Sequence, residues 1–541
     1  MKRFKKLSLI LALIMSFTLF ITACGGNDAN DEKTDTAETV EKDQNEDKAD
    51  GKDDSEKDSA DSVSGDYEIV VAQGADPKSL DPHGSNDQPS SRVNKQIYDT
   101  MVEQNANMEL VPGLAESWEQ IDEKTWEFKL REDVKFHNGE DLKASDVVFS
   151  LLREKESPNT GHIVGFIDDV EAKDDYTVVI KLAEPFAPIL SHLAHTASSI
   201  LNEKAVTEAG EDYVSSPIGT GPFKFVSHDS GDKVTLEAFE DYYQGPAKFK
   251  TLVFKNVQEN ATRTIGLETG EIDIAYDIEP NDFEVVKGND DLELIEDASL
   301  STAYIGFNTQ KEPFTNSKVR KALNHAVNVD EIIEVILEGS GEPATGPINS
   351  KVFGYDDDLE VYEYDVEKAK SLLKEAGFAD GFTTTIWTND NDTRVKIAEL
   401  VQAQLAEVGV QAEIEIVEWG AYLDRTAAGE HDMFILGWVT VTGDADYGLY
   451  ALFHSTQKGA AGNRTFFENS EVDKLLDAGR KESDPDKRLE VYKEAQEIIV
   501  DEAPELFLYF QNQNAGVQKS ISGFELHPAG HHRLYTVEKD Q

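Results

Sequence analysis

Cysteine is nearly missing from this 541-residue chain: Cys24 is the only one. Disulfides within the chain, Cys-ligated metal centres and thiol catalysis in the folded part are thereby excluded, and the core must stand by packing alone. Positive charge is scarce as well, with 51 Lys and Arg against 106 Asp and Glu and a formal net charge of −55. So acidic a chain is a poor match for nucleic acid or an anionic membrane, and no nucleic-acid partner is expected. No apolar run past residue 23 reaches the about 20 residues of a membrane span. The phosphate loop G-x-x-x-x-G-K-[ST], H-E-x-x-H, the G-x-S-x-G elbow and a helix-opening G-x-G-x-x-G are all missing. His192 and His195 lie three apart and His531 adjoins His532, without a further ligand at metal-site spacing. The run Asn389-Asp390-Asn391-Asp392 lacks the central Gly and terminal Glu of a calcium loop. The expectation is a protein that is not an enzyme and holds no metal and no cofactor.

What is present begins at the N-terminus. Lys2, Arg3, Lys5 and Lys6 precede an apolar run from Leu7 to Ile21, too short and wrongly flanked for a stable span, so residues 1–23 read as an export signal. The tetrapeptide Ile21 to Cys24, ITAC, resembles the lipobox of bacterial lipoproteins. That resemblance implies that Cys24 becomes a lipidated N-terminus, anchored to the cell membrane on its outer side, because two lipid chains hold where one is marginal. Residues 24–65 follow with 15 acids and five Lys between Asp28 and Asp61 and almost no apolar residue. Such a segment cannot repay ordering entropy and reads as a disordered tether with a root-mean-square span of roughly 30–40 Å.

With 39% hydrophobic residues the rest can bury a large core. Its pattern is mixed α/β. Asp365 as N-cap, an apolar face of Val366, Ala369, Leu372, Leu373 and Ala376, and Gly377 as stop predict one helix. Ile397, Leu400, Val401, Leu405 and Val408 predict a second, ended by Gly409 and followed by a strand in which Val410, Ala412, Ile414 and Ile416 alternate with polar residues.

Six stretches, in order, resemble the bacterial extracellular solute-binding proteins of family 5, the peptide- and nickel-binding proteins that feed ABC importers. They are SLDPHGSND (Ser79–Asp87), LVPGLAESWE (Leu110–Glu119), LREDVKFHNGEDLKASDVVFSL (Leu130–Leu151), PIGTGPFKF (Pro217–Phe225), FNTQKEPFTNSKVRKALNHAVNVD (Phe307–Asp330) and Gly437-Trp438. The resemblance implies an α/β, two-lobed periplasmic-binding-protein-like fold of type II with an extended first lobe and a ligand cleft between the lobes. It places lobe I at 66–299, lobe II at 300–512 and a return to lobe I at 513–541. A small peptide ligand, the permease subunits of an importer and a monomeric state come with it. A general di- or oligopeptide carrier, a peptide-signal sensor and, more distantly, a nickel carrier remain alternatives.

In peptide-binding relatives an Asp three residues after the Gly-Trp pair holds the ligand ammonium; here that position is Val441. The departure, together with IWTNDNDTR (Ile386–Arg394) and LAHTASSI (Leu193–Ile200), looks most similar to the glutathione-binding branch. A ligand with a γ-linked glutamyl end and two carboxylates needs donors as well as one acid. Arg394, Arg92, Thr442 and the Gly443 amide are the candidate donors, Asp444 or Asp446 the acid, and His195 a further candidate. Each has a structural alternative: Arg394 as a surface residue at a helix start, Arg92 paired with a nearby acid, Asp444 and Asp446 as helix caps. Trp387, Trp419 and Trp438 are candidate apolar walls, the wall being favoured for Trp438 and core packing for Trp419.

Overall fold

The computed structural model describes residues 65–540; the export segment, Cys24 and the acidic stretch to residue 64 lie outside the described residues. Two unusually long strands, Leu292–Phe307 and Glu505–Gln518, run antiparallel through the middle of an eleven-stranded sheet. On one side of them the sheet continues through Ile274–Tyr276, Gly65–Gln73, Phe249–Asn256, Lys233–Ala238 and Phe223–Asp229. On the other it continues through Met433–Val439, Phe382–Asn389 and Val410–Val417. Among the described residues the long pair is the only ladder shared by both halves. Leu292–Ala298 pair with Asn512–Gln518, the register then shifts, and Ser301 resumes opposite Gln511. Ile274–Tyr276 dock on one side of that shift and Met433–Val439 on the other. A bulge bends a strand and raises its local twist, so the two halves of the sheet form separate lobes joined by two strands.

Local chemistry sets the second lobe's layers. Asp365 caps the helix Val366–Glu375 by accepting from Lys368 N at 2.8 Å, Ala369 and Leu373 are buried, and Gly377 ends the turn at φ 93°. The helix Asp392–Glu407 is capped by Asn391 and turns at Gly409 into the edge strand Val410–Val417. A side sheet of Ala115–Asp122, Thr125–Leu130, Thr177–Leu182 and Ile167–Asp174, together with the helix Ala144–Lys155, extends the first lobe. Its apolar core is continuous with residues of the second lobe, including Trp438, Tyr447 and Leu452. No helix among the described residues is long and apolar enough to cross a membrane.

Candidate functional site

Between the lobes lies a cavity of about 330 Å³, at the lower end of the roughly 300–1,000 Å³ usual for small-molecule sites. The first lobe supplies the start of the helix Gln88–Ile97, the loop from Asp277 to Pro280, and His195. The second supplies Arg394, Trp419, the strand end from Leu436 to Val441, and Arg464, while Ser299, Ser301 and Gln511 to Asn514 of the crossing strands form the floor.

The helix Gln88–Ile97 begins where Asp87, extended at φ −140°, caps it and Pro89 occupies the first turn. Asp87 Oδ1 accepts from Ser90 N at 3.2 Å and Oδ2 from Ser85 Oγ at 2.7 Å. Trp419 Nε1 approaches Oδ1 at 3.5 Å from the other lobe. Among the described residues no cation pairs with this buried carboxylate. One turn on, Arg92 grips Asp277 at 2.8 and 3.3 Å and lies over the Tyr276 ring. Burial alone would push the Asp277 carboxyl up; the Arg92 charge and hydrogen bond hold it below the ordinary value. Arg92 thus lines the cavity with its charge already matched.

Across the cavity, Arg394 stands in the first turn of the helix Asp392–Glu407. Its Nη1 donates to the neutral Asn389 Oδ1 at 2.9 Å, and its guanidinium lies over the Trp419 ring, with no carboxylate partner among the described residues. Arg464 is 9% exposed, and no described group accepts from its guanidinium; its Nε is buried without a partner. Cations without acids therefore face the cavity from the second lobe, and an acid without a cation faces it from the first.

Several bonds cross from lobe to lobe around the cavity. Glu279 accepts from Thr393 Oγ1 at 2.5 Å and Lys396 Nζ at 3.2 Å. Tyr447 Oη meets Asn86 Nδ2 and His195 Nε2, each at 3.0 Å. His195 Nδ1 accepts from Ala197 N, so the ring proton sits on Nε2 and points at Tyr447. Burial, then repulsion from His192 and His162, pushes His195 well below its ordinary value and keeps it neutral. In this structure His195 positions Tyr447.

Of the residues singled out in the sequence, Arg92, His195, Arg394 and Trp438 line the cavity; Thr442, Gly443, Asp444, Asp446 and Trp387 do not. The physical reason is pairing. Asp444 is clamped by Arg488 at 2.6 and 2.7 Å, and Asp446 by Arg480 at 2.9 Å and His192 at 3.1 Å. The Gly443 amide donates to Thr440 O at 2.8 Å. Thr442 turns its hydroxyl to Asp444 N and its carbonyl to Gln104. Trp387 is 4% exposed, with Nε1 bonded to Thr385 Oγ1 at 3.1 Å and Arg425 stacked on its face. The roles of the tryptophans are exchanged, for it is Trp419 that walls the cavity. Val441 does line the cavity, so an apolar side chain stands where relatives are expected to carry the ammonium-binding Asp. Sequence reading missed Asp87, although Asp-Gln-Pro before a helix is a readable cap, and missed Arg464, whose lack of a partner only the fold reveals. Among the described residues, one group, Asp356, Asp357 and Asp358, has metal-ligand spacing; it lies outside the cavity wall, and Lys493 pairs with two of its members.

A family model described as bacterial extracellular solute-binding proteins, family 5 (middle) matches residues 109–460. The chain is 35% identical over 473 residues to the dipeptide-binding protein of Escherichia coli K12, covering 82% of this chain and 88% of that one. Identity is also 35% over 473 residues to the glutathione-binding protein GsiB of Pectobacterium atrosepticum, covering 85% and 92%. The periplasmic binding protein DppA of Helicobacter pylori, solved with the peptide STSA, superposes with a TM-score of 0.84 at 32% identity, covering 88% of this chain and 99% of that one.

Proposed function

Because this chain belongs to the bacterial extracellular solute-binding proteins of family 5, we propose that it captures a small peptide, glutathione-like in preference, and delivers it to the permease of an ABC importer. The observation that carries this reading is the interlobe cavity of about 330 Å³ with Asp87 on one lobe and the acid-free Arg394 on the other. A peptide zwitterion has a charge for each pole, and charge-assisted bonds are strongest where water is excluded. Val441 in place of the expected acid moves the ammonium pole to the opposite lobe and favours a ligand whose ammonium is set differently from that of an ordinary dipeptide. Relatives named for glutathione and for dipeptides stand at the same 35% identity, so a general dipeptide carrier is the second reading.

In this proposal lobe I comprises residues 66–299 and 513–541 and lobe II residues 300–512, the register shift between Ala298 and Ser301 serving as the hinge. The protein acts as a monomer, held to the outer face of the membrane by lipidated Cys24. Closure is stabilised only to the extent that ligand binds the closed state better than the open one.

The test is a thermal-shift screen of the full chain against reduced and oxidised glutathione, di-, tri- and nonapeptides, and nickel. A ligand at 100 times its Kd stabilises the native state by about 2.7 kcal/mol. A rise in midpoint with glutathione alone supports the preferred reading. A rise with ordinary dipeptides selects the second, and no rise with any peptide removes both.

A further inference from the structure

Buried arginines in this protein are otherwise provided for. Arg92 has Asp277, Arg488 has Asp444, Arg320 has the carbonyls of Phe314 and Glu502, and Arg263 has those of Val257 and Asp277. Arg464 is the exception among the described residues. Its backbone is fixed on both sides: its carbonyl accepts from His431 Nε2 at 3.0 Å, and the preceding Asn463 ties His454 O and Phe467 O at 3.2 and 3.0 Å. The side chain is therefore delivered to the cavity wall by a rigid turn, yet no acceptor meets it there. The Tyr422 hydroxyl donates to Ile435 O at 2.6 Å and makes no bond with the Arg464 guanidinium. A lysine could shed its proton in such a place; a guanidinium cannot, so the cost of its burial stands until an anion arrives.

We infer that Arg464 is the receptor for a second carboxylate of the ligand, so that the cavity selects peptides bearing two anionic groups over peptides bearing one. The inference rests on the cavity being a peptide site, as proposed above. Arg394 serves one carboxylate, Arg464 another, and Asp87 the single ammonium. The complement is a molecule with two acids and one amine, which describes glutathione and equally a short peptide with one acidic side chain.

The test is calorimetric titration of the full chain and of Arg464→Met with glutathione and with its two monoamides, one at each carboxyl. Arg464→Met weakens glutathione about 30-fold or more. Amidating one of the two carboxyls costs the wild type a similar factor, and the two changes together cost no more than either alone, because they remove the same bond. The ligand-free melting midpoint of Arg464→Met rises, since an unpaired buried charge has been exchanged for an apolar chain of similar length. A lower ligand-free midpoint, an unchanged glutathione affinity, or costs that simply add for both monoamides overturns the inference; the last would mean that Arg464 bonds neither carboxylate. If the wild type binds none of these peptides, the proposed function falls with it. If it binds them without Arg464 discriminating, only this inference fails.

Discussion

Asp444 and Asp87 are both buried acids close to the ligand-side segments, and their partners separate them. Asp444 neutralises Arg488, which also holds Tyr492 Oη at 3.0 Å and Gly479 O at 2.8 Å. Breaking a buried pair from one side costs about 3–5 kcal/mol, so Asp444→Asn is expected to lower the urea midpoint strongly and leave peptide affinity where it was. Asp87→Asn should do the reverse. Asn caps a helix as well as Asp does, so stability holds, whereas loss of the charge weakens peptides with a free amine roughly 10- to 100-fold and leaves N-acetylated ones unaffected. Titration and urea unfolding of both variants check the contrast; equal affinity losses would return Asp444 to the site. The sequence pointed to the right segment, since Trp438 and Val441 face the cavity. It failed three residues later because Gly443, at φ 67°, reverses the chain and sends the following side chains into the neighbouring core.

At the scale of elements, helices and strands with strong periodicity were legible: the unit from Asp365 to Gly377 and the helix and strand from Asn391 to Val417 stand where their caps and glycines put them. The stretch PIGTGPFKF, given by sequence only as part of the resemblance, has a packing task in the structure. Gly221 N donates to Ile97 O at 2.9 Å and Thr220 Oγ1 to Asp99 Oδ2 at 3.0 Å, docking the turn on the end of the helix whose other end carries Asp87. A Cβ on Gly219 would overlap the Ile97 carbonyl. Gly219→Ala therefore has to shift the helix or the turn and should cost about 1–3 kcal/mol, the usual range for overpacking. An unchanged urea midpoint would show that the turn gives way freely. The register shift in the long strands was not legible, because a bulge is defined by a partner strand that lies some 200 residues away in the sequence.

At the scale of the whole molecule, the two-lobed architecture was legible through the resemblance alone, because periodicity gives pieces and not their arrangement. The contacts between lobes were not legible, because each joins residues remote in sequence, as Glu279 meets Thr393 and Asn86 meets Tyr447. The same remote packing sets the response to acid. Burial pushes His83, His162 and His431 down to about 3 and His137 and His527 down to about 4, against an ordinary value of about 6.5. Below about pH 6.5 the unfolded chain takes up protons that the folded one refuses, and each such ring lowers stability by about 1.4 kcal/mol per pH unit until its folded value is reached. Glu154 and Glu505, held well above the carboxylate range by burial, act in the opposite direction: folded and protonated, they contribute stability below about pH 4.5 that is lost as pH rises. Between pH 6.5 and 4.5 those five rings, joined by His195, His531 and His532, oppose Glu154, Glu505 and Asp99, the last raised to about 6 by burial, so the histidines prevail and stability should fall by several kcal/mol across that window. Urea unfolding at pH 7.5, 6.5, 5.5 and 4.5 measures it. A midpoint that is flat or rises toward pH 4.5 would mean that these histidines, taken together, take up protons in the folded protein.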